Sequence, residues 1–417
     1  MLAAMRSGDW LTPARLRNYP IIFLALFSAA AIAAVLMSHG RMGPNNLPLG
    51  SDFSQVWVAG KEANAGHADA PFDIARHIAA QRAEFGPETG VFGWHYPPYF
   101  LAPAALLARL PYLQALLVWQ VATLLLYLWS IVAILRRSGV PTASVIVSSL
   151  AFPAVIINLG HGQNGFLTAA LLGGGMVLVD RRPLLAGALF GFLAYKPQFG
   201  LTIPLFLLIG RHWRTILGGV GTVVAMSAAS VAAFGLESWR AFFAGLPFTR
   251  SVVVEQGATG FEKIQSVFAA VRLLGGDIPT AYFWQSLAAV SALAALALLL
   301  RSAADARTKG AATICATLLT TPYSLDYDMM ALAPAMALLV AHGLENGFRP
   351  FEKSALAFAY VAPLLARPVA TALPLPLGVI ALTFLFVVIV SHAFDLKKRE
   401  PKRGTALVGA RREREMG

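Results

Sequence analysis

This sequence of 417 residues contains very little cysteine and very little charge. Its single cysteine, Cys315, lies in an apolar run, which excludes an intramolecular disulfide and any zinc or iron–sulfur site built from several cysteines. Charged residues make up only 13% of the chain, against roughly 25% in ordinary soluble domains. Apolar residues make up 57%. The composition therefore excludes an ordinary soluble globular protein and predicts an integral membrane protein.

Apolar runs separated by short polar loops predict about a dozen membrane spans, because a helix needs roughly 20 apolar residues to cross a bilayer. The runs lie near 20–38, 112–135, 141–158, 163–179, 183–195, 198–210, 213–235, 284–300, 310–322, 329–343, 354–366 and 377–394. Some are short, so 183–195 and 198–210 can form one broken pair, and 98–110 a re-entrant or interfacial helix. The expected fold is an all-α polytopic membrane protein with about 10–13 transmembrane helices and extracytoplasmic loops.

The net charge of +12 does not indicate nucleic-acid binding, because the basic residues flank the apolar runs. With the N-terminus in the cytoplasm, 22 of the 33 Lys and Arg residues fall on the cytoplasmic side, as the positive-inside rule requires. Both termini are therefore expected in the cytoplasm, and the expected location is the bacterial inner (plasma) membrane. The first run lacks a clear small-residue cleavage site, so it is interpreted as an uncleaved anchor rather than a signal peptide.

These spans are expected to form a single transmembrane domain over residues 1–395, with long outer loops at 39–97 and 236–283. The second loop contains several aromatic residues that can contact an acceptor substrate or anchor the chain at the membrane interface, namely Trp239, Phe242, Phe243, Phe248 and Phe261. Residues 396–417 are strongly basic and predict a disordered cytoplasmic tail near anionic headgroups.

Polar residues gather at the predicted outer ends of the spans, in five groups at 52–53, 94–98, 160–164, 195–198 and 322–328. Polar groups at membrane depth are costly unless they face a cavity or a partner. Because the predicted topology brings all five groups to one face of the membrane, we interpret them as one functional site.

Asp52 is the candidate catalytic base of this site. It follows Ser51 and begins a segment with Phe53 and Trp57 at helical spacing, which predicts a carboxylate in the first turn of a helix. The helix dipole favours the ionised form there, and an ionised carboxylate can take a proton from an attacking hydroxyl. The alternative is an acid that only caps the helix.

Lys196 is a lone ammonium between two apolar runs, where it needs an anionic partner or water. Pro197 predicts a break in the helix whose freed backbone groups line a cavity or pack in protein. A lysine there suits a phosphate group as a point charge. The alternative is a side chain that extends to the headgroups without a specific ligand.

His161, Gln163 and Asn164 can donate hydrogen bonds to a sugar or phosphate, and Gln198 can join them. The alternative for His161 is a hydrogen-bonded or solvated residue of a loop.

Two acids, Asp326 and Asp328, flank Tyr327 where a span begins. They can bind a cation, orient a hydroxyl or pair with Lys196 in a purely structural way. No metal ligands are predicted, although a divalent cation held by Asp52 with either acid is a candidate cofactor.

In their order along the chain, these groups resemble glycosyltransferase family 87, polyprenol-phosphate-sugar-dependent enzymes of the membrane-embedded GT-C superfamily. The resemblance extends from Asp52 to Asp328, and the matching pieces are Asp52-Phe53, Tyr96-Pro97-Pro98, Gly162-Gln163-Asn164, Lys196-Pro197-Gln198 and Pro322 with Tyr327-Asp328.

This resemblance implies a GT-C-like helical bundle and an inverting glycosyltransferase with its active site at the extracytoplasmic boundary. The implied donor is a polyprenyl-phosphate-linked sugar, with mannose expected, and the acceptor is a lipid or glycan. Asp52 is then the base and Lys196 neutralises the departing phosphate. The residues expected to bind donor or acceptor, besides Lys196, are Tyr96, His161, Gln163, Asn164, Gln198, Tyr327 and Asp328.

Two other classes of protein stay open at this point. A transporter or lipid-linked-sugar flippase would line its path with Lys196, Asp326 and Asp328. A structural membrane subunit would carry the same polar groups as simple helix-end residues. The placement of all five groups at one face, rather than at mid-depth, favours the enzyme.

Overall fold

The computed structural model describes residues 1–90 and 92–395 of the chain. This part folds into α-helices, short 3₁₀-helices and one π-helix, with three isolated β-bridges and no β-strand. The predicted basic tail at 396–417 lies outside the described residues.

Most α-helices are joined by short connections, and the longer connections include residues 37–52 and 249–266. In chain order they are α1 (Leu2–Ser7), α2 (Pro13–Leu36), α3 (Phe53–Asn64), α4 (Ile74–Phe85), α5 (Leu101–Leu107), α6 (Tyr112–Leu135), α7 (Thr142–Leu150), α8 (Pro153–His161), α9 (Gly165–Leu178), α10 (Pro183–Phe192), α11 (Thr202–Ile209), α12 (Trp213–Phe248), α13 (Val267–Leu273), α14 (Ile278–Arg301), α15 (Ala306–Thr320), α16 (Leu332–Asn346), α17 (Glu352–Ala372), α18 (Leu377–Val390) and α19 (His392–Asp395). The 3₁₀-helices are Ala70–Phe72, Pro98–Phe100, Leu193–Tyr195, Pro197–Phe199 and Asp326–Ala331, and the π-helix is Thr249–Glu255.

Seven helical segments in the described part of the chain are long and apolar enough to cross a membrane. They are Pro13–Leu36, Tyr112–Leu135, Trp213–Glu255, Ile278–Arg301, Asp326–Asn346, Glu352–Ala372 and Leu377–Phe394. Helices α7 and α8 form an eighth candidate, bent by 55°. The protein is therefore an all-α polytopic membrane protein, as the composition predicts.

All twelve predicted apolar runs coincide with helices, but some of these helices are short. The segments Pro98–Leu107, Gly165–Leu178, Pro183–Tyr195 and Pro197–Ile209 are apolar and have fewer than 18 residues. Three of these segments begin with proline, which lacks the backbone N–H that would continue a preceding helix. The predicted break at Pro197 is confirmed, since a non-helical Lys196 separates α10 and its 3₁₀ extension from the next helical turn.

Helix α12 is two helices joined at a kink at Gly235, where φ is 75° and ψ is 161°. A side chain at this residue would be strained, since L-residues rarely adopt that backbone region. The kink coincides with the predicted end of a span at residue 235. Beyond it the segment predicted as an outer loop, 236–283, is mostly helical, with the end of α12, the π-helix and α13.

The bundle has two distinct ends. The loop end comprises α3, α4 and α5, the turn between α8 and α9, and the segment 322–328. The opposite end comprises α1, the turn between α14 and α15, the start of α17, and α19. There Phe351 N–H donates to Arg6 O over 2.8 Å, and Ser354 Oγ donates to Met5 O over 2.7 Å, which ties α1 to α17.

Candidate active site

The turn between α8 and α9 packs directly against the start of α3 and positions Asp52. The backbone N–H of Asp52 donates to His161 O over 3.0 Å. Gly162 ends α8 with φ at 65°, and a Cβ there would lie 2.7 Å from Phe53 Cβ and 3.1 Å from Gly50 Cα. Glycine is therefore required both by the left-handed backbone and by the close approach of the two segments.

The carboxylate of Asp52 does not cap α3, so the capping alternative is wrong. Asp52 occupies the N-cap position of α3, but its side chain makes no capping hydrogen bond. It accepts hydrogen bonds from Gln163 Nε2 over 3.0 Å and from Ser51 Oγ over 3.3 Å. His161 Nδ1 lies 3.5 Å from Asp52 Oδ1. The carboxylate is held by side chains from the turn between α8 and α9.

Burial and these contacts act in opposite directions on the pKa of Asp52. Burial raises the pKa, while the hydrogen bond and charge of His161, the hydrogen bond from Gln163 and the charge of Lys263 lower it. The lowering effects are larger in sum, so the pKa of Asp52 lies below its ordinary value and the group is an ionised carboxylate at neutral pH.

A chain of hydrogen bonds extends from Asp52 into the protein. Gln163 donates to Asp52, and Tyr96 OH donates to Gln163 Oε1 over 3.1 Å. Asn164 Nδ2 donates in turn to Tyr96 OH over 2.8 Å, while Asn164 N–H donates to Gln163 Oε1 over 3.2 Å. These bonds fix the orientation of the Gln163 amide, so that its Nε2 faces Asp52 and donates a hydrogen bond to the carboxylate.

Lys196 is buried beside Asp328, with only 4% of the residue exposed. It therefore does not extend to lipid headgroups. Its ammonium donates to Asp328 Oδ1 and lies 5.1 Å from the ring centroid of Tyr327 and 5.5 Å from that of Phe199. Asp328 Oδ2 also accepts from Leu325 N–H over 3.0 Å, which fixes the carboxylate. Of the two acids predicted near Lys196, the structure pairs Asp328 with it.

Lys196 and the hydrogen-bond chain that begins at Asp52 meet at one cavity, which we call the charged cavity. Its lining residues come from the loop end and from both sides of the break at Lys196, namely Gln55, His95, Tyr96, Gln163, Tyr195, Lys196, Gln198, Tyr323, Tyr327 and Asp328. Six of the nine predicted site residues therefore line it. The other three adjoin it, since Asn164 bonds Tyr96, Asp52 bonds Gln163, and His161 contacts Asp52.

Four lining residues were not predicted to contact donor or acceptor: His95, Tyr195 and Tyr323 lie within the predicted polar groups, and Gln55 lies outside them. Gln55 carried a usable signal, because it follows Asp52 by three residues and so shares a helix face with it. Its Oε1 is buried and has no hydrogen-bond partner in the described part of the chain.

Among residues 1–90 and 92–395, no group of three or more His, Cys, Asp or Glu side chains is arranged to hold a metal ion.

The helical bundle is that of a polytopic membrane protein, and it contains a cavity lined by polar and charged side chains. A family model described as glycosyltransferase family 87 matches residues 94–322, which is more than half of the chain. The chain belongs to this family, and it is an enzyme that transfers a sugar. No curated protein and no solved structure gave a match. The matched residues include Tyr96, Gln163 and Lys196 but not Asp52 or Asp328.

Proposed function

We propose that the protein is an inverting glycosyltransferase that moves a sugar from a polyprenyl-phosphate donor to a lipid or glycan acceptor. The observation that carries the proposal is the placement of Asp52, an ionised carboxylate that caps no helix and is bonded to a residue lining the charged cavity. Gln163 thus links the carboxylate of Asp52 to the cavity that Lys196 lines, and transfer from a phosphate leaving group needs both a base and a cation near the sugar.

In the proposed reaction Asp52 removes the proton from an acceptor hydroxyl as that oxygen attacks the anomeric carbon. The new carbon–oxygen bond forms while the bond to the phosphate oxygen breaks, and its electron pair leaves with the phosphate. The sugar develops positive charge in the transition state. A base on one face of the sugar activates the acceptor hydroxyl, and a cation on the other face stabilises the departing phosphate. Attack opposite the leaving group inverts the anomeric centre.

Lys196 is the proposed partner of the departing phosphate. An ammonium has three donors, and in the described residues Lys196 makes one hydrogen bond, to Asp328. Its remaining N–H groups are free for phosphate oxygens. Asp328 balances its charge, so the buried ammonium persists before the donor arrives.

Sugar hydroxyls find acceptors among buried atoms of the same site. Asn164 Oδ1 and Gln55 Oε1 are buried and lack hydrogen-bond partners in the described part of the chain. An unpaired buried acceptor costs about 1–3 kcal/mol, and a ligand hydroxyl removes that cost. Gln198, Tyr327 and His161 complete the proposed set that contacts donor or acceptor.

The proposed orientation puts the loop end outside the cytoplasm and both termini inside, in a bacterial inner membrane. It is supported by the excess of Lys and Arg in the segments of the opposite end. The expected sugar is mannose.

Purified protein in lipid vesicles, incubated with radiolabelled polyprenyl-phosphate mannose, polyprenyl-phosphate glucose or a nucleotide sugar, tests the proposal. We expect transfer from a polyprenyl-phosphate sugar into a lipid-extractable product, with opposite anomeric configuration by NMR. Transfer from the nucleotide sugar alone would contradict the proposed donor. Parallel samples with a chelator test whether a divalent cation takes part.

A further inference from the structure

A second space, which we call the neutral crevice, lies beside the charged cavity, between the loop end and the last turns of α12. Its walls include Phe72, Trp94, His95, Phe242, Gly245 and Thr249. His95 lines both spaces, and its Nδ1 lies 2.9 Å from Thr249 Oγ1 in a hydrogen bond. The two spaces are therefore neighbours that share the side chain of His95.

The neutral crevice differs from the charged cavity in its electrostatics. Its walls, so far as the structure describes them, include no Lys, Arg, Asp or Glu. Burial lowers the pKa of His95 to about 4, so its imidazole is neutral at pH 7. A phosphate group binds best where cationic donors surround it, and Lys196 lies in the other space. The crevice therefore suits an uncharged ligand.

Trp94 supplies an unused hydrogen-bond donor in this crevice. It is 5% exposed, and its indole Nε1 is buried with no partner in the described part of the chain. An indole N–H can only donate, so the missing partner is an acceptor such as a hydroxyl or ether oxygen. Beside it the rings of Phe72 and Phe242 meet edge to face at 5.9 Å, which provides apolar wall.

One side of the crevice is bordered by exposed apolar side chains of α12. Leu246 and Phe248 line the crevice and are 43% and 37% exposed. They belong to the helical segment Trp213–Glu255, which is long and apolar enough to cross a membrane. A hydrocarbon chain can therefore continue from the crevice into the bilayer.

We propose that the neutral crevice binds the acceptor as an uncharged, hydroxyl-bearing headgroup on a hydrocarbon chain, with Trp94 Nε1–H donating to a headgroup oxygen. The role of acceptor rests on the proposed function, whereas the preference for an uncharged amphiphile rests on the crevice itself. The donor phosphate then occupies the charged cavity, and His95 lies between the two ligands.

The test uses the full chain in lipid nanodiscs without any donor. The probe is octyl mannoside with a diazirine on its alkyl chain, and labelled peptides are identified by mass spectrometry after irradiation. Competition by unlabelled octyl mannoside gives the dissociation constant. We expect labels between residues 242 and 249, and weaker competition by geranyl phosphate than by octyl mannoside.

Three variants locate the binding site. Trp94→Phe keeps the ring but removes the donor, and we expect about 2- to 10-fold weaker binding for one lost hydrogen bond. Gly245→Leu fills the crevice, since a Cβ there meets only Phe72 O at 3.6 Å, and we expect labelling to be lost. Gly221→Leu is the matched control in the same helix, because its Cβ meets nothing within 4 Å.

Labelling that is unchanged in both Trp94→Phe and Gly245→Leu would overturn the inference, as would equal competition by geranyl phosphate. The transfer assay separates this failure from failure of the proposed function. If octyl mannoside binds as expected but no polyprenyl-phosphate sugar is transferred, the proposed function fails while the crevice remains a site for an uncharged amphiphile. If transfer occurs and both variants keep the acceptor KM, the inference fails alone.

Discussion

The polar groups at the two ends of the bundle differ in their partners. At the opposite end the acidic and basic groups near the helix termini are paired with one another. The pairs are Glu352 with His392, Asp305 Oδ2 with His342 Nδ1 at 2.9 Å, and Arg307 Nη1 with Glu345 Oε2 at 2.6 Å. These contacts join α15, α16, α17 and α19, so they serve the packing of the helices.

At the loop end several buried polar atoms have no partner in the described part of the chain. They include Gln55 Oε1, Trp94 Nε1 and Asn164 Oδ1. Each such atom costs the folded state about 1–3 kcal/mol. These unpaired atoms line or adjoin the charged cavity and the neutral crevice, where the proposed substrates would bind.

The largest effect is expected from removing the charge of Asp52. Asp52→Asn keeps the size of the side chain and abolishes its basicity, and general-base catalysis contributes about 10²- to 10⁴-fold to a rate. We expect the transfer rate to fall by that factor without loss of expressed protein. The control is Asp305→Asn at the opposite end, which is expected to keep the transfer rate. A normal rate for Asp52→Asn would remove the base from the mechanism.

The buried pair of Lys196 and Asp328 is the next test, because it combines a structural role with a proposed role in catalysis. Lys196→Met leaves Asp328 without its partner, and breaking a buried pair costs about 3–5 kcal/mol of folding free energy. The double variant Lys196→Met with Asp328→Asn is expected to recover most of the thermal stability but no transfer activity. Recovery of both would show that the pair is only structural, like the pairs of the opposite end.

A smaller, purely structural effect is expected at Glu352. Its carboxylate accepts from Arg349 N–H over 2.7 Å and pairs with His392. Glu352→Gln weakens both contacts and is expected to lower the unfolding free energy by about 1–3 kcal/mol. The measurement is the denaturation midpoint in detergent together with kcat/KM of transfer. A loss of kcat/KM without a loss of stability would contradict the purely structural role assigned to this pair at the opposite end.

The smallest effect is a shift in the pH profile. His161 lowers the pKa of Asp52, so His161→Ala is expected to raise it. A base works only when deprotonated, and kcat/KM falls as the pH drops through its pKa. The acid limb of kcat/KM should therefore move to higher pH, with little change near pH 7. His342→Ala at the opposite end should leave the limb in place, and a shift in both variants would contradict a local cause.

Local signals in the sequence predict the helical architecture well. The apolar runs coincide with helices, Pro197 breaks the chain at Lys196, and the kink at Gly235 coincides with a predicted boundary. These features depend on residues close together in sequence. The lengths of the shorter helices were less predictable; α9, for example, lies largely in the protein interior and need not match the bilayer thickness.

The partners within the site depended instead on tertiary contacts. Sequence analysis left Lys196 open to either acid, and only the fold of the segment 322–328 selects Asp328. The position of Asp52 at a helix start suggested a cap, but the approach of Gly162 directs Gln163 and His161 to the carboxylate. Periodicity indicates which residues share one face of a helix, but it does not identify the residues that they contact on a neighbouring helix.

The exposed residues Leu246 and Phe248, at the edge of the neutral crevice, have a kinetic consequence. A substrate that enters past them comes from the plane of the bilayer, so its effective concentration is a mole fraction of the lipid rather than an amount per volume. Adding inert phospholipid at constant total substrate should then slow the reaction, while diluting the whole vesicle suspension should leave the turnover of each enzyme molecule unchanged.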